Sequence, residues 1–247
     1  MDFPDSTEYL DHISLDCVIF GFHRNELKVL LLKLKEFELY ALPGGFLRKD
    51  ETLEDAAGRV LKERTGLGNI FLKQFRVFSD VNRSEGNPAT RLLEKEGADN
   101  LLLEFFHKRF ITVGFFALVD FTKVNPTPDR ISDTCEWKEV KVKESLILDH
   151  AWIIQKALEE LRTQLRHQPV GYNLLPEKFT MPELQKLYET ILGKELDRRN
   201  FQRKILSYNI LDRLDETRRG GPHKSPYLYT FNVDNYHRSL KEGLRGM

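Results

Sequence analysis

Short apolar runs, some of them alternating with polar residues, follow one another through the first half of the chain and predict a β-sheet. Two runs joined by "HRNE" predict a hairpin, and "ELYALPGGF" predicts a short strand that ends at two glycines. The β-branched and aromatic content of the longest run predicts a central strand, and the last run predicts an edge strand. The five long runs are 13–22, 27–35, 69–79, 109–121 and 135–142.

Two stretches of this half carry apolar residues at helical spacing. "TLEDAAGRVLKERTG" predicts a helix in which Thr52 is the N-cap, Asp55 forms a weak capping box and Gly66 is the stop. A longer amphipathic helix is predicted over 150–168. Its apolar positions include Ile153, Ala157 and Leu161. The segment 82–107 is polar, has no strand period and is interpreted as an insertion with a short helix around "LLLEFF".

The pattern changes near Pro169, where "QPVGYNLLPEKF" is typical of a linker. The sequence therefore predicts two domains, residues 1–168 and 169–247. In the second domain, Thr180 with Glu183 predicts one capped helix and Asp197 predicts the start of another. The segments "ILDRLDE", "TRRGGPHKS" and "PYLYTFN" then predict strand, turn and strand.

The order helix, helix, hairpin over 172–235 indicates a winged helix-turn-helix. The first helix carries an apolar stripe for a small core, and the second is expected to add three apolar residues to it. The stripe is Leu184, Leu187, Tyr188 and Ile191, and the three added residues are Phe201, Ile205 and Leu206.

Composition narrows the class of protein. With 247 residues, of which 40% are hydrophobic, the chain has material for a globular fold, and its formal net charge is zero. From residue 169 onward, however, 14 Lys and Arg stand against 10 Asp and Glu, so the second domain is mildly basic. The two cysteines indicate no disulfide framework or zinc site, and Cys17 is expected in the core. No signal peptide and no apolar run of ~18 residues is found, so a cytoplasmic location without a membrane partner is expected.

The stretch "PGGFLRKDETLEDAAGRVLKERTGL" (43–67) resembles the Nudix box, GX5EX7REUXEEXGU, in which U is a bulky aliphatic residue. The box departs from the family at Val60 and Arg64, where the family carries glutamates. The matching positions are Gly45, Glu51, Arg59, Leu61, Glu63, Gly66 and Leu67. The resemblance covers roughly residues 10–165 and implies an α+β fold, with a Nudix α/β/α sandwich built on a mixed sheet.

The family resemblance also implies what the two departures remove. In Nudix enzymes three glutamates of the box helix hold divalent cations, and here only Glu63 remains. Arg64 brings a positive charge that opposes a dication, and Arg59 is spaced to pair with Glu63. We therefore expect no metal site, no cofactor and no catalytic residue. Two alternatives remain open: a working hydrolase with ligands such as Glu51, Glu54 or Glu104, and a purely structural domain.

The Nudix cleft is then expected to bind a small molecule without cutting it. The turn before the box helix and two residues of that helix face the cleft in the family. Asp16 lies among apolar neighbours in a strand, so its carboxylate needs a partner, either a ligand hydroxyl or a protein group. The predicted effector-binding residues are Asp16, Pro43, Gly44, Gly45, Phe46, Arg59 and Glu63. Asp149 and His150 begin the 150–168 helix, where a place between pocket and dimer interface is one hypothesis, but His150 is interpreted as an ordinary surface or capping residue.

The second helix of the winged domain is expected to enter the major groove of DNA, with the hairpin turn near the phosphates. Arginine reads guanine edges and asparagine reads adenine edges in that groove. The predicted DNA-binding residues are Arg198, Arg199, Asn200, Arg203 and Lys204 on the helix, and Arg218, Arg219, His223 and Lys224 at the wing. The alternatives are a solvated helix face and a protein-binding module.

A degenerate Nudix domain followed by a winged helix resembles the Nudix-related transcriptional regulators. That resemblance spans nearly the whole chain, except the insertion 82–107, and implies a homodimeric repressor of a double-stranded DNA operator. The implied effector is either a pentose or an ADP-ribose-like nucleotide, and the lost metal site favours the sugar slightly. The helix 150–168 is the expected mechanical link between effector and winged helix. A Nudix-type diphosphate hydrolase with an accessory domain is the alternative.

Overall fold

A computed structural model describes residues 5–68, 70–141, 143–167, 172, 174–218 and 225–242. The chain forms two compact units. The first contains residues 1–21 and 28–157, and the second contains residues 22–27 and 158–247. The domain boundary predicted between 168 and 169 falls outside the described residues, so it stays a prediction.

A mixed seven-stranded sheet forms the centre of the first unit. Its strands are β1 Tyr9–His23, β2 Glu26–Leu34, β3 Tyr40–Ala41, β4 Gly44–Arg48, β5 Leu72–Phe78, β6 Ile111–Val119 and β7 Ser132–Glu139. The main order is β3-β2-β1-β6-β5, while β4 pairs with β1 and β7 pairs with β2. The β1–β6 pair is parallel, and β4, β5 and β7 pair antiparallel to their neighbours. The five long strands predicted from the sequence are confirmed.

The two glycines after Pro43 do not end a strand, as the sequence analysis expected, but begin β4. Gly44 lies opposite Asp16 in the antiparallel pair. A Cβ atom on Gly44 would come within 2.5 Å of Asp16 Oδ1 and 2.9 Å of the Leu15 carbonyl oxygen. Glycine is therefore required here because the neighbouring strand approaches closely.

Helix α1, Leu53–Thr65, covers one face of the sheet. Its N-cap Thr52 and Asp55 form the reciprocal capping box, and Gly66, with φ of 74°, ends the helix in the left-handed conformation. Its buried residues pack with Leu15 and Cys17 of β1. Since side chains alternate along a strand, Asp16 projects from the opposite face of β1.

The insertion 82–107 contains two helices, α2 Pro88–Lys95 and α3 Asn100–His107. Helix α3 confirms the one expected around "LLLEFF", and α2 was missed. The local signal for α2 was present, because Asn87 caps it and Pro88 occupies its first turn. The segment is thus a folded part of the first unit.

Helix α4, His150–His167, follows the sheet in the chain. Ile153, Ala157 and Leu161 are buried, as predicted. Trp152 packs edge-on against Phe78 of β5, with ring centroids 5.2 Å apart. Among the described residues, no helix has both the length and the apolar content that a bilayer crossing requires.

The second unit contains the predicted helix, helix, hairpin order. Its elements are β8 Phe179–Thr180, α5 Met181–Leu192, α6 Arg198–Ser207, β9 Leu211–Thr217, β10 Tyr227–Phe231 and α7 Val233–Glu242. The caps at Thr180 and Asp197 and the stop at Gly193 form as expected. The whole predicted stripe of α5 is buried, together with Phe201 and Ile205. Leu206 was expected in this core, but it is 42% exposed on the outer side of α6.

The capping box at Thr180 generates a stability prediction. Thr180→Ala removes the hydroxyl that accepts from the Glu183 amide and donates to the Glu183 carboxylate. The free energy of unfolding should fall by about 1 kcal/mol, the usual cost of losing such a cap. Urea unfolding of the full chain measures the change. Thr163→Ala on α4 is the matched control, since its hydroxyl only bonds the Glu159 carbonyl within a helix, and it should change stability little. An equal loss in both variants would contradict the assignment.

Candidate functional site

Three charged side chains of the box helix α1, those of Arg59, Glu63 and Arg64, form ion pairs. Arg59 forms a two-pronged ion pair with Glu51, with Nη2 2.6 Å from Oε1 and Nε 3.1 Å from Oε2. The same guanidinium donates to the Phe46 carbonyl oxygen at 3.0 Å. Burial acts to raise the pKa of Glu51, but hydrogen bonds from Arg59 and the Arg48 amide outweigh it and hold the pKa below its ordinary value. Arg59 and Glu51 therefore fasten α1 to the turn that precedes it.

The remaining box carboxylate lies between two cations. Glu63 Oε1 is 3.7 Å from Nη1 of Arg59, and Glu63 Oε2 is 3.5 Å from Nη2 of Arg64. Val60 is 1% exposed and faces Gly45, where an added Cβ would lie 3.0 Å from the valine methyl group. Within the described part of the chain, no group of three or more His, Cys, Asp or Glu side chains is placed to hold a metal ion.

Four of the predicted effector residues line one cavity of about 140 Å³ in the first unit. Asp16 and the strand that begins at Gly44 form one wall. The inserted segment and the start of α4 contribute Arg83 and His150 to the other walls. The four predicted residues are Asp16, Gly44, Gly45 and Phe46.

Two other predicted effector residues, Arg59 and Glu63, lie in the ion pairs of the box helix described above. The carbonyl oxygen of Pro43 accepts a hydrogen bond from the Cys17 amide at 2.7 Å, which closes the turn onto β1. The structure thus places four of the seven predicted residues at the cavity, two on the box helix and Pro43 in the turn beside β1. The assignment of all seven residues to effector binding stays a prediction.

Asp16 is a buried carboxylate, and the nearest nitrogen atoms of Arg83 and His150 stand slightly too far away for hydrogen bonds. Its Oδ2 lies 3.7 Å from Nη2 of Arg83 and 3.8 Å from Nε2 of His150. Burial raises the pKa of Asp16 above its ordinary value, while His150 and Arg83 offset part of that rise.

Arg83 is the cavity residue that sequence reasoning missed. Its side chain is only 3% exposed, although it belongs to a polar segment. Nε and Nη2 donate to the two carboxylate oxygens of Asp149, at 3.1 and 2.8 Å, and Nη1 donates to the Thr112 hydroxyl. Nothing in the local sequence marks an arginine for burial, because its partners come from distant strands and helices.

His150 was interpreted as a surface or capping residue, and that was wrong, because it is 5% exposed. Its Nδ1 accepts a hydrogen bond from the Leu42 amide at 2.9 Å. Burial lowers the pKa of His150, against the opposing effect of Asp16, so the ring is held neutral. With Nδ1 used as an acceptor, the single ring proton is on Nε2, the atom that faces Asp16.

A larger cavity of about 680 Å³ borders the inserted segment. It shares Ser84, Asn87 and Phe106 with the smaller cavity. Arg91 and Arg109 line it together with Glu85 and Glu94, so its charges are mixed. The two cavities are therefore adjacent.

The outer face of α6 is the candidate nucleic-acid interface in the second unit. Arg198, Arg199, Asn200, Arg203 and Lys204 are all exposed, as the prediction requires. At 100° per residue, Arg199, Arg203 and Leu206 lie opposite the buried pair Phe201 and Ile205. Arg203 donates to the Asn200 side-chain oxygen at 3.0 Å, which orients both side chains along this face.

At the wing, Arg218 is tied to the base of the hairpin. Nη1 donates to Glu183 at 2.9 Å and Nη2 donates to the Lys178 carbonyl oxygen at 3.2 Å. Lys178 in turn pairs with Glu216. The other predicted wing residues, Arg219, His223 and Lys224, lie outside the described residues.

Two families of known proteins match successive parts of this chain. Residues 11–161 match the NUDIX domain family, and residues 171–231 match the NrtR DNA-binding winged helix domain. A relative from Acinetobacter baylyi, described as the ADPR responsive transcriptional repressor NtrR, is 28% identical over 231 residues. That alignment covers 91% of this chain and 83% of the relative.

Two solved structures resemble the whole chain. Shewanella oneidensis NrtR complexed with a 27mer DNA has a TM-score of 0.71 and 25% identity, over 92% of this chain and 96% of that one. A MutT/nudix family protein from Enterococcus faecalis has a TM-score of 0.64 and 22% identity, over 94% and 90% of the two chains, and shows the fold alone. The predicted α+β class is confirmed, and the chain belongs to the Nudix family and carries a winged helix domain of the NrtR type.

Proposed function

We propose that this protein is a transcriptional repressor whose winged helix binds an operator and whose Nudix domain senses a small molecule. The observation that carries the proposal is the outer face of α6, where Arg199, Asn200 and Arg203 are exposed above a buried apolar side. Two relatives support it: one is described as an ADPR responsive transcriptional repressor, and the other was solved with a 27mer DNA.

The chemistry of that face suits the major groove. Arginine makes paired hydrogen bonds to guanine, asparagine makes them to adenine, and an apolar side chain contacts the thymine methyl group. Leu206 lies on the same face, so its exposure, which a core residue would not have, fits a role in reading DNA. Arg218 contributes less free charge, because Glu183 partly neutralises it.

The effector in this proposal is an ADP-ribose-like metabolite. The sequence alone favoured a sugar slightly, but the description of the Acinetobacter relative favours ADP-ribose. The active form is a homodimer in the cytoplasm, since helix-turn-helix proteins commonly bind two half-sites of an operator as two-fold symmetric pairs.

The Nudix domain in this proposal does not hydrolyse its ligand. Metal-assisted hydrolysis of a diphosphate needs carboxylates that are free to bind Mg²⁺. Here Glu51 is paired with Arg59, Glu63 lies between two guanidinium groups, and Val60 is buried. Binding a dication would require breaking these ion pairs, so the domain acts as a sensor.

A first prediction tests the reading face of α6. Arg203→Ala should weaken binding to a specific site by about 1–3 kcal/mol, because one base contact is lost. Gel shift and fluorescence anisotropy at fixed salt measure the change. The probes are DNA from upstream of the gene and a site selected from a random-sequence pool.

Lys62→Ala, an exposed cation on the Nudix helix α1, is the control and should leave binding unchanged. Equal affinity of wild-type protein and Arg203→Ala for the selected site would show that α6 does not read the bases. Failure of wild-type protein to bind or select any DNA at low salt would refute the repressor.

A second prediction concerns catalysis. Wild-type protein incubated with ADP-ribose and either Mg²⁺ or Mn²⁺ should release no AMP, because in the part of the chain that the structure describes no group of three or more His, Cys, Asp or Glu side chains is placed to hold the cation. Chromatography of the reaction products measures turnover. Trace activity that is equal in wild-type protein and in Glu51→Gln, Glu54→Gln, Glu63→Gln and Glu104→Gln would come from a contaminating hydrolase. Activity at ordinary enzyme rates that any of these four substitutions abolishes would establish the alternative, a working diphosphate hydrolase.

A further inference from the structure

The second unit contains a cavity of about 590 Å³ that the proposed function does not use. Its walls come from the helices α4, α5 and α6 and from the turn that joins α5 to α6. All of the lining residues belong to this one unit. The volume is in the range of about 300–1,000 Å³ that is typical of small-molecule sites.

Most of the lining side chains are apolar or aromatic. Tyr188 and Phe201 pack edge to face, with ring centroids 5.3 Å apart, and form an aromatic wall. Leu192 and Leu196 are only partly buried, so some of the apolar surface remains in contact with water. An aromatic or aliphatic group that covered this surface would be bound favourably. The apolar lining consists of Leu165, Tyr188, Leu192, Leu196, Phe201 and Ile205.

The aromatic wall also carries a hydroxyl group. Tyr188 is 7% exposed, and burial raises the pKa of its hydroxyl above the ordinary value. Among the described residues, none forms a hydrogen bond that opposes this rise. A buried tyrosine hydroxyl usually has a hydrogen-bond partner. The hydroxyl of Tyr188 stays protonated and is available to donate to an acceptor on a bound molecule.

Positive charge predominates in the lining. Arg162 donates through Nε to a backbone carbonyl oxygen at the end of α5, at 2.8 Å, which holds its guanidinium in place. In the described part of the chain, no carboxylate forms an ion pair with Arg162, Lys194 or Lys204. Asp197, the one carboxylate among the described lining residues, accepts from an amide in the first turn of α6 and caps that helix. Three cations thus stand against one anion that is already bonded.

These features favour an amphipathic organic anion over other ligands. A carboxylate or sulfonate would accept from the remaining N–H groups of Arg162 and pair with a lysine. The apolar body of the same molecule would cover the leucines and the aromatic wall. A cationic ligand would be repelled by the three cations, and a sugar would leave the apolar surface without a matching partner.

We propose that this cavity binds an amphipathic organic anion and that its occupancy weakens DNA binding. Asn200 and Lys204 line the cavity and are also predicted DNA-binding residues. A bound anion would neutralise Lys204 and bring negative charge toward the DNA phosphates, which lowers affinity. The anion site goes beyond the proposed function, while its effect on DNA rests on that function.

Fluorescence titration of the full-length protein with two probes tests the site. The first probe is 8-anilinonaphthalene-1-sulfonate, and the second is N-phenyl-1-naphthylamine, which has the same rings without the sulfonate. The tightest sulfonate site should hold one molecule per chain. Arg162→Gln should weaken sulfonate binding at least 10-fold and leave binding of the uncharged probe unchanged, because the anion loses its main partner. Lys194→Gln should weaken sulfonate binding at least 3-fold.

Lys186→Gln is the matched control, since Lys186 is an exposed cation of α5 outside the cavity, and it should leave binding of both probes unchanged. Thermal unfolding shows whether each variant is folded. If Arg162→Gln is not folded, Lys194→Gln decides, because its side chain is exposed. Three results would overturn the site: no saturable sulfonate binding to wild-type protein, wild-type sulfonate affinity in the folded deciding variant, or an equal loss in Lys186→Gln.

Fluorescence anisotropy with a red-labelled DNA of the selected sequence tests the effect on DNA. Saturating sulfonate probe should weaken DNA binding of wild-type protein at least 3-fold and should not affect DNA binding of folded Arg162→Gln. Because coupling between two sites is reciprocal, saturating DNA should weaken sulfonate binding by the same factor. Equal DNA affinity of wild-type protein with and without the probe would overturn the effect on DNA.

The same measurements separate this inference from the proposed function. If the sulfonate probe binds as predicted but wild-type protein binds no DNA, the repressor fails and the anion site stands. If DNA binding is intact while folded Arg162→Gln binds the sulfonate as tightly as wild-type protein does, the anion site fails and the repressor stands.

Discussion

The burial of charge around one cavity is the constraint on which the first unit depends. A buried arginine is stable only when its N–H groups are bonded, and Arg83 meets this need with Asp149 and Thr112. Removing one partner would leave an uncompensated charge in the interior. The side chain of Arg83 therefore connects three parts of the chain. Arg83 belongs to the inserted segment, its hydrogen bond reaches Thr112 of strand β6, and its ion pair reaches Asp149, the residue that precedes helix α4.

This arrangement places the cavity next to the start of α4. His150 is the first residue of that helix, and its Nε2 lies 3.8 Å from Oδ2 of Asp16 in the cavity wall. The helix continues past Leu158 into the second unit of the chain. A ligand shifts an equilibrium only by binding two arrangements unequally. In the proposed repressor, an effector in this cavity would have to bind two arrangements of the first turn of α4 unequally.

The sequence predicted features that depend on neighbours along the chain. Caps at Thr52, Thr180 and Asp197 form because donor and acceptor lie three residues apart. Leu206 and Arg83 show the limit of such reasoning. The apolar Leu206 is exposed and the charged Arg83 is buried, since packing by remote elements decides both. The departures from the Nudix box at Val60 and Arg64 were visible in the sequence. The sequence predicted that Arg59 pairs with Glu63, but in the structure its closer partner is Glu51.

In the proposed sensor, the altered box contributes to packing and ion pairing instead of holding a metal ion. Val60 packs against Gly45 in the core, so a glutamate at this position would bury a carboxylate without a partner. Glu63 would have to leave two guanidinium groups before it could bind a cation. In the proposed sensor, the loss of metal chemistry thus involves packing and ion pairing together. We therefore expect that restoring the two glutamates would not by itself rebuild a metal site, because position 60 lies in the core and Glu63 lies between two guanidinium groups.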